Sequence, residues 1–178
     1  MCRMVYSTQV FRQRPEHPYS VARTFFTNHI LCVDAARDPE FGKTGLGWML
    51  RNKDGLIQWA GTIFLHFTMD VDWAELLAIK LPLTRLQTNF ENLPILSDST
   101  NAIDLIRLKA NISDHDLLAQ DIRLEAAKLC SPEFFHIPRS YNLVAHDLVQ
   151  KALHSCITTV WTDSMPMYVG THVLKLFG

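Results

Sequence analysis

The segment His29-Ile30-Leu31-Cys32-Val33-Asp34 constrains this chain more than any other, because it is an apolar run of strand length that ends on a carboxylate. A charged group at the end of a core strand is costly to place unless water, a hydrogen-bond donor or a cation compensates it. Asp34 therefore calls for a partner. Asp98 closes a second apolar run, Leu93-Pro94-Ile95-Leu96-Ser97-Asp98, and Glu75 lies in the first turns of an amphipathic segment that begins near Asp72. If the two strands are neighbours and the helix packs across them, the three acids converge, and a divalent metal ion is the partner that such a convergence suits. Each acid also has an ordinary alternative. Asp72 and Glu75 have the spacing of a helix capping box, Asp98 between Ser97 and Ser99 is a good N-cap, and Asp34 could simply start a loop.

Hydrophobic periodicity orders the rest. After the first strand, residues 35–43 carry Asp38-Pro39 and Gly42 and read as a loop. Residues 44–51 then read as a strand, Asn52-Lys53-Asp54-Gly55 as a hairpin turn and residues 56–66 as the returning strand. Gly45-x-Gly47 in the second strand has no helix directly after it, so it marks a bulge or close backbone packing rather than a phosphate cradle. From Asp72 the period becomes helical, with Pro82 expected to kink or end the helix. Residues 90–96 return to strand. Helices follow over 99–109 and 113–130, the second opened by a Ser113-to-Asp116 capping signature, then a short strand at 133–137 and a last helix at 142–155. The order β-β-β-α-β-α-α-β-α predicts an α/β domain: a mixed five-stranded sheet, three antiparallel strands and then two parallel ones, flanked by helices. Trp48, Trp59 and Trp73 sit in apolar patterns and are expected in the core.

The 178 residues suit one domain with extensions: 1–28 as an N-terminal extension or linker, 29–156 as the domain, and 157–178 as a C-terminal tail carrying Trp161, Pro166 and Tyr168. No apolar run approaches the roughly eighteen residues of a membrane span, and no signal region opens the chain. Cys2, Cys32, Cys130 and Cys156 are far apart, which offers no zinc or redox motif and fits a reducing compartment. The expected location is intracellular, nuclear or cytoplasmic, with an organelle as the alternative because residues 1–28 are Arg-rich. Net charge is −1, so no global basic surplus holds a polyanion. Residues 1–28 hold Arg3, Arg12, Arg14 and Arg23 against Glu16, a balance of +3 that leaves −4 for the remainder.

Taken together, Cys32-Val33-Asp34-Ala35, Gly45-x-Gly47-Trp48, Ala74-Glu75-Leu76-x-Ala78, Ser97-Asp98-Ser99 and Asn142-x-Val144-Ala145-His146-x-Leu148 resemble successive motifs of the ribonuclease H-like domain. The likeness is to the branch found in plant reverse-transcriptase-like and non-LTR retroelement proteins. It spans residues 30–153. Any one motif is weak, whereas five in order are specific.

The resemblance implies hydrolysis of the RNA strand of RNA/DNA hybrids with two magnesium ions, manganese being the alternative ion. It makes Asp34 the ligand shared by both ions, with Glu75 and Asp98 beside it, and adds His146 to the catalytic set. Ser99, Arg139 and Asn142 become candidate contacts to nucleic acid. Well-studied nucleases of the family usually carry an aspartate where this chain has His146. Asp147 follows one step later, but one residue turns a helical side chain by about 100°, so it cannot take the same place. No histidine stands in the loop before the last helix, between Arg139 and Asn142. The alternative function is accordingly a weak or inactive ribonuclease H-like module, derived from a retroelement, that binds nucleic acid or protein. A reading from another class is an interaction adaptor that uses the aromatic tail.

Overall fold

The computed structural model describes residues 28–86, 90, 92–108, 113–129 and 132–162. The N-terminal extension to residue 27, Cys2, Cys130, Pro166 and Tyr168 lie outside the described residues.

Among the described residues ten strands and α-helices follow in chain order: β1 (His29–Asp38), β2 (Lys43–Asn52), β3 (Ile57–Leu65), α1 (Val71–Arg85), β4 (Pro94–Ser97), α2 (Thr100–Arg107), α3 (Asp114–Ala126), β5 (Glu133–His136), α4 (Leu143–Ser155) and β6 (Thr159–Thr162), with a short 3-10 helix (Arg139–Tyr141) before α4. The sheet runs β5-β4-β1-β2-β3-β6. β1, β2 and β3 pair antiparallel, and β4 and β5 add in parallel beside β1, as the alternation of elements predicts. The sheet has six strands rather than five. Residues 159–162, expected in the tail, pair antiparallel with β3, where Trp161 stands opposite Ala60. The short Thr-Val-Trp-Thr segment lacks the length that would mark it as a strand from sequence, and only the free edge of β3 makes it one.

Side-chain alternation splits the core between the two faces of the sheet. Leu31 and Val33 of β1, with Leu46, Trp48 and Leu50 of β2, pack against α1, α2 and α3. Ile30 and Cys32, with Met49 of β2, face α4 through Val144, Ala145 and Leu148. Cys32 is a buried thiol, and burial pushes its pKa up, so it behaves as a small apolar residue. Trp48 is fully buried, while Trp59 and Trp73 pack half-buried against the same core.

Gly45 and Gly47 are explained by α4. A Cβ on Gly47 would lie 2.7 Å from Val149 Cγ2 and 3.1 Å from the Ala145 carbonyl, and one on Gly45 would lie 3.0 Å from the Val149 carbonyl. The two glycines therefore form a flat strip that lets α4 lie directly on β2. Because Asp34 pairs with Gly47, the same strip brings α4 close to Asp34.

Three boundaries differ from expectation. β1 does not stop at Asp34, since Ala35 to Asp38 continue the ladder opposite Leu46 to Lys43. The turn comes only at 39–42, where the Phe41 amide donates to Asp38 Oδ1 and Gly42 takes a positive φ of 61°. β4 begins at Pro94 rather than residue 90, after Asn92 turns the chain with φ 50°. α1 passes through Pro82 and ends three residues later at Arg85, the buried Pro82 being held in the core. Among the described residues no helix is long and apolar enough to cross a membrane.

Candidate active site

Asp34 lies in the middle of β1, yet at the end of another ladder. The parallel pairing of β1 with β4 is confined to Leu31–Ile95 and Cys32–Leu96, so Asp34 stands just past the point where β4 gives out. Asp98 follows Ser97, the last residue of β4. Two neighbouring strands thus carry these two acids just past the end of their shared ladder. Glu75 comes from the first turns of α1, which packs across β1.

None of the three acids performs the ordinary task open to it. The N-cap of α1 is Asp70, whose side chain accepts from the Asp72 and Trp73 amides at 2.9 and 3.3 Å, so Glu75 is not needed for capping. The N-cap of α2 is Ser99, which accepts from the Ala102 amide at 3.2 Å, so Asp98 does not cap. Asp34 starts no loop.

Asp34 is 3 % exposed and Glu75 8 %, whereas Asp98 is half-buried. Burial, then the charge of Asp98, pushes the Asp34 carboxyl up to about 6, against the hydrogen bond and charge of His146 and the Ala35 amide. Burial pushes Glu75 to about 9, followed by the charges of Asp34, Asp98 and Asp72, with Arg139 acting the other way. Glu75 Oε2 is buried with no hydrogen-bond partner.

On the α4 side, His146 Nδ1 lies 2.8 Å from Asp34 Oδ2. Arg139 Nη2 lies 3.2 Å from His146 Nδ1 and 3.1 Å from Nε2. Arg139 Nη2 is thus almost equidistant from the two ring nitrogens, and Asp34 Oδ2 accepts from Nδ1 when that nitrogen carries the proton.

Asn142, expected to touch nucleic acid, is 1 % exposed and points inward. Its Nδ2 donates to the Val33 carbonyl at 2.8 Å and to Asp98 Oδ1 at 3.1 Å, tying the start of α4 to β1 and to the Asp98 carboxylate. The hydroxyl of Ser99 is engaged in capping. Arg139 is exposed, with Nη2 against His146, and His136 is exposed at the end of β5. Sequence reasoning missed the bracing by Asn142 and the contact of Arg139 with His146. The i, i+4 spacing of Asn142 and His146 was the one available sign that both face the sheet.

The donor set fits a hard divalent cation in kind, since it offers carboxylate oxygens, one of them orphaned in a buried place. Among the described residues, however, no group of three or more His, Cys, Asp or Glu side chains is gathered tightly enough to hold an ion as it stands. Carboxylates that repel one another have no cause to close further without a cation between them.

A mixed sheet in this strand order, with acids from β1, α1 and the end of β4 near enough to shift one another's pKa, defines a ribonuclease H-like domain. The reverse transcriptase-like family matches residues 33–152, and the chain belongs to that family. Among solved structures it is similar to RNase H1 from the archaeon Halobacterium salinarum, with a TM-score of 0.64 and 21% identity over 71% of this chain and 98% of that one. It is similar to LC11-RNase H1, isolated from compost and solved with an RNA/DNA hybrid, with a TM-score of 0.65 and 18% identity over 72% and 98%. A third likeness is to the N-terminal RNase H domain of Rv2228c from Mycobacterium tuberculosis, with a TM-score of 0.60 and 17% identity over 74% and 99%. At these identities the likeness shows the fold. No curated protein matches the chain.

Proposed function

We propose that this domain is a divalent-metal-dependent endonuclease that hydrolyses the RNA strand of RNA/DNA hybrids. The observation that carries the reading is Glu75: a carboxyl group 8 % exposed, beside Asp34 and Asp98, with Oε2 unpartnered and no capping duty. A buried carboxylate beside other carboxylates is destabilising unless a proton or a cation compensates it, and Glu75 gives up the proton readily only where a cation takes its place. Asp34, Glu75 and Asp98 would hold magnesium or manganese. Such an ion, when bound, neutralises phosphate charge and polarises the oxygens around the scissile bond.

The protein's own residues supply the rest. Asn142 orients Asp98, and His146 orients Asp34. Arg139, exposed at the rim, suits a charge-assisted contact to a backbone phosphate. Recognition of the hybrid rests on shape and 2′-hydroxyl contacts in a wide minor groove, so sequence preference is small. Were two ions to bind, as the family resemblance implies, Asp34 would contribute to holding both.

One observation favours a second reading. His146 supplies no negative charge and already engages Asp34, which suits a retroelement-derived module that binds nucleic acid or protein without cutting it. The two readings separate when the protein is offered hybrid, double-stranded RNA and single-stranded RNA, each labelled, in magnesium and then in manganese. Internal cuts confined to the RNA of the hybrid support the nuclease. Retention of the hybrid without cuts in either ion supports the binding module.

A further inference from the structure

We propose that Arg37 is a positioning residue for Glu75: together with Thr44 it grips the loop that leads into α1 and so fixes where the first turns of that helix lie. The inference rests on the nuclease reading and deepens it, because it concerns how one acid of the site is held.

Side-chain alternation along β1 puts Arg37, like Leu31, Val33 and Ala35, on the face that α1 covers. Arg37 and Thr44 are ladder partners across β1 and β2. Both donate to the backbone of the same loop, Arg37 Nη1 to the Met69 carbonyl and Thr44 Oγ1 to the Phe67 carbonyl, each at 2.8 Å. A cross-strand pair, Thr44 buried and Arg37 exposed, thus holds two carbonyls two residues apart. The loop is short. β3 ends at Leu65, which stands opposite Thr44 in the next ladder, and Asp70 caps α1 directly after Met69.

Burial of Ala74 and Leu76 seats α1 on the core, but apolar contact is non-directional. The cap bonds of Asp70 run to the Asp72 and Trp73 amides, within the start of the helix, and its contact with His115 ties it to α3. The bonds from Arg37 and Thr44 are directed ones that tie the entry of α1 to the sheet. The strand that carries Asp34 therefore carries, three residues on, an anchor for the helix that carries Glu75. The relative place of two acids matters to the chemistry, since a misplacement of about 1 Å can cost on the order of a hundredfold in rate.

The test uses the full-length chain as Arg37→Ala and Arg37→Lys, with Thr44→Val as a second variant. It is read by amide hydrogen exchange over residues 66–76 and by steady-state kcat and KM on a labelled hybrid in magnesium. In Arg37→Ala, exchange should speed up by roughly tenfold and kcat fall by roughly tenfold or more, with KM within about twofold of the wild type. Arg37→Lys keeps a donor for the Met69 carbonyl and should recover most of both, and Thr44→Val should move both in the same direction as Arg37→Ala. Unchanged exchange in Arg37→Ala would overturn the grip, whether or not the protein cuts RNA. Faster exchange with kcat intact would overturn the positioning role and leave the nuclease reading standing. A raised KM with kcat and exchange unchanged would make Arg37 a nucleic-acid contact instead. A wild type that cuts nothing would overturn the nuclease reading and the positioning role with it.

Discussion

His146 and Asp34 are 112 residues apart in the chain and 2.8 Å apart in the fold. What allows the approach is Gly47, the ladder partner of Asp34, which leaves room for α4 at Val149 and Ala145. The hydrogen bond at the site thus depends on a missing side chain one strand away.

Gly47→Ala tests that dependence. The new methyl group would lie 2.7 Å from Val149 Cγ2 and 3.1 Å from the Ala145 carbonyl, so the helix itself must shift. Overpacking of this kind costs roughly 1–3 kcal/mol. Denaturant melts should show that loss. An unchanged midpoint would mean that α4 does not bear on β2 as described.

A pH dependence follows from Glu75. Its carboxyl is raised in the folded state from 4.5 to about 9, so the folded protein holds this proton more tightly than the unfolded chain does. The stability tied to that proton is complete below the unfolded value and is lost as pH rises toward about 9. Asp34 acts in the same sense, but its window ends at about 6. Thermal melts in chelator should therefore fall from about pH 6 to about pH 9, and Glu75→Gln should flatten the slope. Magnesium should reverse it, stabilising the protein more as pH rises, because metal ligands must be deprotonated. A wild-type slope equal to that of Glu75→Gln would show that Glu75 is not buried among charges.

Asn142→Ala separates a brace from a nucleic-acid contact. Loss of the two inward hydrogen bonds should cost roughly 1–3 kcal/mol and lower turnover, while affinity for the hybrid stays as it was. Weakened hybrid binding with stability intact would be the signature of a residue that faces the ligand.

β6 makes truncation informative. Removing residues 157–178 strips β6 from β3 and also removes Thr158, whose hydroxyl accepts from the Phe64 amide at 2.9 Å. Removing 163–178 leaves these contacts in place. The longer deletion should melt clearly lower than the shorter one, by differential scanning fluorimetry. Equal melting points would show that β6 adds nothing to the sheet.

Much of this was legible in the residues. The strands of the β1–β3 meander show as apolar runs set off by turn residues, Ser113 and Asp116 form the capping box their spacing announces, and the glycine pair of β2 does mark close packing. The three acids could be named because strand ends and first helical turns are where carboxylates require explanation. What could not be read was set by partners distant in sequence. β1 runs on to Asp38 because β2 offers it a ladder, α1 tolerates Pro82 because the core holds that residue, and residues 159–162 become a strand because β3 has a free edge. The bracing role of Asn142 was not legible for the same reason, since nothing local reveals that Val33 and Asp98 await its amide. The Asp72–Glu75 ambiguity is resolved only by Asp70, a cap two residues earlier than the pattern suggested.

The most direct test of the central claim is single-turnover cleavage of an RNA/DNA hybrid in magnesium, with the RNA strand labelled, by the wild type and by Asp34→Asn. The account predicts internal cuts in the RNA strand by the wild type and a loss of about a hundredfold or more in the variant, with the fold retained by circular dichroism. Equal cleavage by both proteins, or none by the wild type in magnesium or manganese, would contradict it.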